Sequence, residues 1–390
     1  MPVIGACLPG PDRDELDPLS LHAASAAPTT RTETTTTTDR YHTRRVPMGR
    51  GAYCAGMPLR SRALVVVSIV LGALFVTPAA SADTPAGVRR CNGMALLCGR
   101  PAGEVAFPTA HNAMSSPADG FRGPNQGKPM SWQLDHGIRG FQIDAYLGVP
   151  VGDRVHTSLT GPLTAAQQDM SPALLAAGKQ LNEQLGPEVT PNVAPGVYLC
   201  HTFCELGFVP MSTELQVIRR FLDAHPNEVL QIVIQDYVPP DQLREEFIQA
   251  GLGDELASYT PGQALPTLGQ MIDAHTHLLV SLENGDGGPQ LANAFTGLVE
   301  ETPFTFLHAA GLRGAQSCRD NRGVPGSPVF QLNHWVTPPV PSHAVAANKL
   351  LASRTATCDR TRKRIPTLVA VDFADRSEVV RVARIVNKSA

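Results

Sequence analysis

Charge, aromatic rings and long apolar runs are all scarce in this sequence. Charged residues make up 17% of the 390 positions and aromatics 5%, with two tryptophans. The net charge of −3 provides no basic field for a nucleic acid backbone, which is met by clustered Lys and Arg. No GxGxxG, GxxxxGKS or GxxxxGKT string is present, so nothing favours a nucleotide-binding fold. There is no internal repeat, and no basic amphipathic stretch stands out as a membrane-surface helix. The apolar stretch Ala63–Val76 spans 14 residues, short of the ~20 a membrane helix needs.

That short run has the context of an export signal. Arg60 and Arg62 precede it and Ala80-Ser81-Ala82 follows it. Positive charge, apolar segment and small-residue cleavage site, in that order, describe a secretory signal peptide. Residues 57–82 are therefore expected to be the signal, with cleavage after Ala82 and a secreted product. Residues 1–56 contain the biased tract TTRTETTTTTDR and read as a disordered leader or as sequence upstream of a true start at Met57 or Met48. The remaining 83–390 carry 24 Lys and Arg against 29 Asp and Glu, a formal charge of −5.

Six cysteines fall in 83–390: Cys91, Cys98, Cys200, Cys204, Cys318 and Cys358. An even count in an exported protein favours disulfides. Fifteen connectivities are open. Proximity suggests Cys91–Cys98, Cys200–Cys204 and Cys318–Cys358, with short spacing behind the first two only. The segment YLCHTFCELG encloses His201 between Cys200 and Cys204. It is not a CxxC redox pair, and no second thiolate pair at zinc spacing lies near it. It reads as a short bridged loop that holds a histidine.

Seven apolar segments have strand character: Val105–Phe107, Arg139–Tyr146, Val197–His201, Val229–Gln235, His277–Glu283, Val329–Leu332 and Leu368–Phe373. VLQIVIQDY and LVAVDF alternate little with polar residues, as strands buried on both faces do in parallel sheets. Helical patterns lie between them. LQVIRRFL places Leu215, Ile218 and Leu222 on one face, with Thr213 and Gln216 spaced as a capping box. DQLREEFIQAGL follows Pro240 and stops near Gly251, and Ser377 precedes EVVRVARIVN. This alternation over some 300 residues indicates α/β, with a TIM-type (β/α)8 barrel suited to one domain and a doubly wound sheet as the alternative. Residues at about 149–195 interrupt the pattern with a helix-like insertion, in the position of a lid on one face.

Polar groups collect just past the apolar segments. His111 and Asn112 follow VAFPTA, Gln142 and Asp144 lie in GIRGFQIDAY, and His201 follows VYLC. Gln235 and Asp236 follow IVI, and Asp372 ends LVAVDF. In a parallel sheet all would lie at the C-terminal edge, where barrel enzymes place their sites. Glu283 and Asp286 close another strand and can line the same site. Tyr146 and Trp335 can contact substrate, although core packing is the commoner role. His275 and His277 precede their strand and read as loop residues.

PTAHNAM, QLDHGIRGFQIDAY, VYLCHTFC and HPNEVLQIVIQDYV, in that order, resemble the X domain of phosphatidylinositol-specific phospholipase C, over roughly Cys98 to Phe373. The resemblance implies a distorted or incomplete TIM barrel that cleaves phosphodiesters of inositol phospholipids at a membrane surface. It implies His111 as base or hydrogen-bond donor, His201 as the acid at the leaving oxygen, and Asp372 as the carboxylate that orients His111. Histidine suits both proton roles because its pKa lies near neutrality. Calcium-dependent relatives use Asn and acidic ligands; here Asn112, Asp144 and Asp236 match, but Gln142 and Gln235 stand where carboxylates are expected. Weak calcium binding at Asn112, Asp144 and Asp236 follows, because affinity drops with ligand charge. Gln142, Gln235, Tyr146 and Glu283 then become substrate contacts. The alternatives are a glycerophosphodiester phosphodiesterase and an inactive relative that binds lipid or sugar phosphate. No protein partner can be inferred.

Overall fold

Runs of Val, Ile, Leu and Phe with little polar alternation cannot face water on either side, so they become strands covered on both faces. A computed structural model describes residues 88–158 and 196–390, with the isolated helical residues Ala176, Gln180, Glu183 and Gln184. The expected leader, the expected signal at 57–82 and most of the insertion lie outside the described residues. The strands in chain order begin with β1 (Phe107–Ala110), β2 (Gly140–Val151), β3 (Arg154–Thr157), β4 (Gly196–Cys200), β5 (Phe208–Pro210) and β6 (Leu230–Tyr237). They end with β7 (Leu278–Leu282), β8 (Ala292–Asn293), β9 (Val299–Glu301), β10 (Val329–His334) and β11 (Leu368–Val371).

Eight of these form a curled sheet in the order β8-β7-β6-β2-β1-β11-β10-β9, with every neighbouring pair parallel. Each strand sits beside the next of the eight in the chain, and β1 closes against β11. Pairing lapses between β8 and β9, so the TIM-type barrel is distorted and open at one seam. Six of the seven expected strands are present, and the one expected at Val105–Phe107 lies instead at Phe107–Ala110. The short β3, β5, β8 and β9 carry too few residues to show a pattern in sequence.

The helices are α1 (Met130–Asp135), α2 (Met211–Ala224), α3 (Pro240–Gln249), α4 (Leu268–Asp273), α5 (Pro341–Asn348), α6 (Leu351–Arg362) and α7 (Val379–Ser389). They cover the outer face, except α4, whose Leu268, Met271 and Ile272 join the inner cluster. Leu215, Ile218 and Leu222 of α2 pack in one cluster with Ile232 and Ile234 of β6, as their spacing requires. Burying each such side chain is worth about 1.5–3 kcal/mol. Alternate residues of the same strand turn inward: Val233 packs with Leu279, Val299 and Leu368. The Cys91–Cys98 loop, Ala102 and Val105 join that inner cluster and close its N-terminal end.

Two capping expectations change. Thr213 lies inside α2, which starts at Met211 after Pro210 and has no side-chain cap. The capping box forms instead at Thr267 and Gln270 of α4. Ser377 precedes the N-cap of α7, Glu378, which has no side-chain cap, and its hydroxyl accepts from the Val379 N–H at 3.3 Å.

One strand departs from the parallel rule. β2 is 12 residues long and overruns the sheet. Its far end pairs antiparallel with β3 and β4, and β4 pairs with β5. Gly148 permits this crowding: a Cβ there would stand 2.4 Å from Val155 Cγ1 and 2.8 Å from Tyr198 Cδ2. So β4 runs back toward the barrel and ends opposite the Asp144 level of β2, since Ala145 pairs with Leu199. His201 reaches the C-terminal edge from the opposite direction to the other candidates.

Candidate active site

Strand register decides which polar side chains meet. Ala110 pairs with Val371, so the next residues, His111 and Asp372, lie side by side. His111 Nδ1 and Asp372 Oδ1 are 2.8 Å apart. Asn125 Nδ2 donates to the same oxygen at 3.2 Å. The His111 ring stacks on Trp335 with centroids 3.6 Å apart and planes 7° apart. Gln126 fixes the backbone here: Nε2 donates to the His111 and Val371 carbonyls, and Oε1 accepts from the Ala374 N–H. The imidazole thus has one ring nitrogen held by a carboxylate and one face covered by an indole.

His201 sits on the loop closed by Cys200–Cys204. Glu205 accepts from the Thr157 N–H and hydroxyl, and Thr157 Oγ1 accepts from the Cys204 N–H, which ties this loop to β3. Burial, then the charge on His111, lowers the His201 pKa from 6.5 to about 4, with Asp372 pulling the other way. The charges of His111 and Asp372 thus both reach His201.

Asn112, Thr202 and Phe373 have φ of 46°, 68° and 49°. They follow His111, His201 and Asp372 respectively. Left-handed backbone at a β-branched or aromatic residue costs about 1–3 kcal/mol, and such strain gathers at functional sites. Each of the three side chains is presented by a sharp turn just past a strand.

Beside His111 lies a cleft of about 100 Å3, lined by Asn112, Gln142, Asp144, Gln235, Glu283, Glu301, Phe304, Arg322 and Trp335 among others. Asp144 pairs with Gln235, and Ile234 with Leu282, so Asp144, Gln235 and Glu283 form one row across three strands. Burial, then the Glu283 carboxylate, raises the Asp144 pKa well above the usual range. Gln142 Oε1 is buried without a hydrogen-bond partner.

Arg322 was not anticipated from sequence. It lies between β9 and β10, away from any strand end, so no pattern marked it. Its Nη1 donates to Glu283 Oε2 at 2.9 Å and its Nε to Glu301 Oε1 at 2.6 Å. Phe295 and Phe304 cover the guanidinium, at 4.2 and 5.1 Å from their centroids. Burial works against the cation, but Glu283 and Glu301 outweigh it and its pKa is raised.

Two expected site residues lie elsewhere. Asp236 alternates with Gln235 and so faces out of the cleft. Its oxygens accept from the Asn284 and Gly285 N–H groups at 2.8 and 2.9 Å. Tyr146 is buried against Tyr237, with centroids 4.3 Å apart, and packs around the Cys200–Cys204 bridge. His277 pairs with Glu255 at the opposite end of β7 and takes no part.

The donors expected for calcium do not assemble. Asp236 is turned away, Glu283 is occupied by Arg322, and Asn112, Gln142, Asp144 and Gln235 offer one carboxylate. A calcium ion takes 6–8 oxygens and gains affinity from carboxylate charge. Among the described residues no group of three or more His, Cys, Asp or Glu is arranged to hold a metal. The residues present do not fit the ion.

Comparison with known proteins finds a family model and several relatives. The family model for PI-PLC X 1 matches residues 188–387, which include His201, Glu283, Arg322 and Asp372. PI-PLC X domain-containing protein 1 of Arthroderma benhamiae is 25% identical over 348 residues, covering 81% of this chain and 96% of the relative. A PI-PLC X domain-containing protein of Arabidopsis thaliana is 28% identical over 201 residues, 47% of this chain and 46% of that protein. Among solved structures, phosphatidylinositol-specific phospholipase C from Listeria monocytogenes aligns at 14% identity, over 75% of this chain and 95% of the other, with a TM-score of 0.42. The Staphylococcus aureus phosphatidylinositol-specific phospholipase C aligns at 13% identity, over 74% and 94%, with a TM-score of 0.44. This chain, with its opened barrel and its polar residues gathered at the C-terminal strand edge, belongs to the PI-PLC X family.

Proposed function

We propose that the protein is a secreted phosphodiesterase of the phospholipase C type, acting on an inositol phospholipid or a related glycerophosphodiester at a membrane surface. One observation supports the reading: His111 is oriented by Asp372 at a cleft that also holds a guanidinium, and the charges of His111 and Asp372 both act on His201. Phosphodiester cleavage needs a base, an acid and positive charge at the non-bridging oxygens. His111 accepts the proton of the attacking hydroxyl as the new phosphorus–oxygen bond forms. His201 delivers a proton to the leaving oxygen as the old bond breaks. Burial keeps free His201 neutral at pH 7, with a pKa of about 4. A bound phosphodiester anion would raise that value and so favour the charged acid when substrate is in place. Asn112, Gln142 and Gln235 offer neutral donors and acceptors for substrate hydroxyls.

The secreted part of the reading rests on three disulfides in an exported-type sequence. Among the described residues no helix is long and apolar enough to cross a membrane. The test is turnover of phosphatidylinositol by residues 83–390 and by its His201→Ala variant. The variant should lose roughly 10²–10⁴-fold in rate while keeping its melting temperature. Retained turnover removes His201 from the chemistry. If the wild type leaves phosphatidylinositol intact, a glycerophosphodiester panel decides between another substrate and a binding protein.

A further inference from the structure

The cleft must neutralise a phosphodiester, yet the residues expected to hold a cation do not assemble there. Two of its carboxylates are already spent on a side chain. Glu283 comes from the end of β7 and Glu301 from the end of β9, on either side of the open seam. Both bind Arg322, whose Nη2 also contacts Glu283 Oε1 and Glu301 Oε2 at 3.3 Å each. Gln331 and Asn333 donate to Glu301 Oε2 at 3.0 and 2.9 Å and hold that carboxylate in place. The guanidinium therefore has little freedom, which is the condition for electrostatic preorganisation.

One edge of the guanidinium is still open to a ligand. The Arg322 side chain is 38% exposed and lines the same small cleft as His111. A guanidinium carries five N–H donors in a plane, matched to phosphate oxygens, and the contacts to the two carboxylates leave one Nη1 hydrogen uncommitted.

We infer that Arg322 is the resident cation of this site: its guanidinium, rather than a bound calcium ion, meets the non-bridging phosphate oxygens. Where it concerns turnover, the inference rests on the phosphodiesterase reading above. Its competitor is a purely structural Arg322, a staple across the seam between β8 and β9. The two differ in what happens to an anion in the cleft.

The experiment uses residues 83–390 as wild type, Arg322→Lys and Arg322→Met, each checked by thermal melting. Inorganic phosphate binding is followed by NMR titration of the His111 and His201 ring protons, in chelator and then with millimolar calcium. Phosphatidylinositol turnover is measured under the same two conditions. Wild type should bind phosphate in chelator and gain nothing from calcium. Arg322→Met should bind at least tenfold more weakly. Arg322→Lys keeps a charge without the planar fork, and should lose roughly 10²–10³-fold in kcat with a smaller change in KM. Wild-type phosphate binding or turnover that requires calcium overturns the inference, whatever the variants do. So does a folded Arg322→Met that binds phosphate as wild type does. Phosphate binding through Arg322 with no turnover of any phosphodiester leaves the inference standing and sinks the enzymatic reading alone.

Discussion

At the scale of single residues, the site depends on how His111 is held. Asp372 is 2% exposed and spends one oxygen on His111 and Asn125, while the other oxygen has no partner. A buried carboxylate in that position fixes the tautomer of the imidazole and stabilises its protonated form. Asp372→Asn keeps the shape and removes the charge. We expect kcat to fall roughly 10²–10⁴-fold, with KM little changed and the Nδ1–H resonance of His111 moved upfield. A kcat within a few fold of wild type would reduce Asp372 to a packing role. His111, His201 and Asp372 were legible in sequence because each follows an apolar strand. Asp236 was misread for an equally simple reason. Neighbouring residues of a strand face opposite ways, and only the register shows that Gln235 takes the inward position.

At the scale of elements, β10 and the helices after it enclose a fully buried histidine. His334 is fully buried, its Nε2 lies 2.8 Å from the Ala347 carbonyl, and Arg354 approaches its Nδ1 at 3.5 Å. Burial, then the Arg354 charge, lowers its pKa from 6.5 to about 3. The unfolded chain therefore binds more protons than the folded one between those values. Stability contributed by keeping His334 neutral is complete above pH 6.5 and is lost as pH falls toward 3. Between pH 7 and pH 4.5 the loss should be about 2–3 kcal/mol. Urea unfolding of wild type and His334→Gln at both pH values checks this. An equal pH penalty in the two proteins would clear His334 of the effect.

The strands visible in sequence are those with a run of buried residues. β4 is one of them, but its direction was not visible. The overrun of β2 and the close approach at Gly148 turn β4 antiparallel, and neither is a property of the β4 residues.

At the scale of the whole molecule, stability draws on covalent links as well as the core. Cys318–Cys358 joins residues 40 apart in sequence. It ties the segment after β9 to α6, on the side that delivers Arg322. In the chain-entropy account, closing a loop of that length stabilises the folded state by about 4 kcal/mol. The Cys318→Ala/Cys358→Ala double variant should melt several degrees lower, and proteolysis should begin in the segment between β9 and β10. Unchanged melting and proteolysis would show that packing alone holds this side.

The sequence by itself determined the α/β class, the barrel-sized run of strands and the three side chains past strand ends. These are local properties, carried by composition and spacing. Tertiary structure alone decided which residues share the cleft. Pairing of β1 with β11 joins His111 to Asp372 across 261 positions, and strand register turns Gln235 in and Asp236 out. Arg322 enters from the loop between β9 and β10 and pairs with Glu283 and Glu301. The position of a charge in space depends on contacts between distant segments, which composition and spacing do not encode.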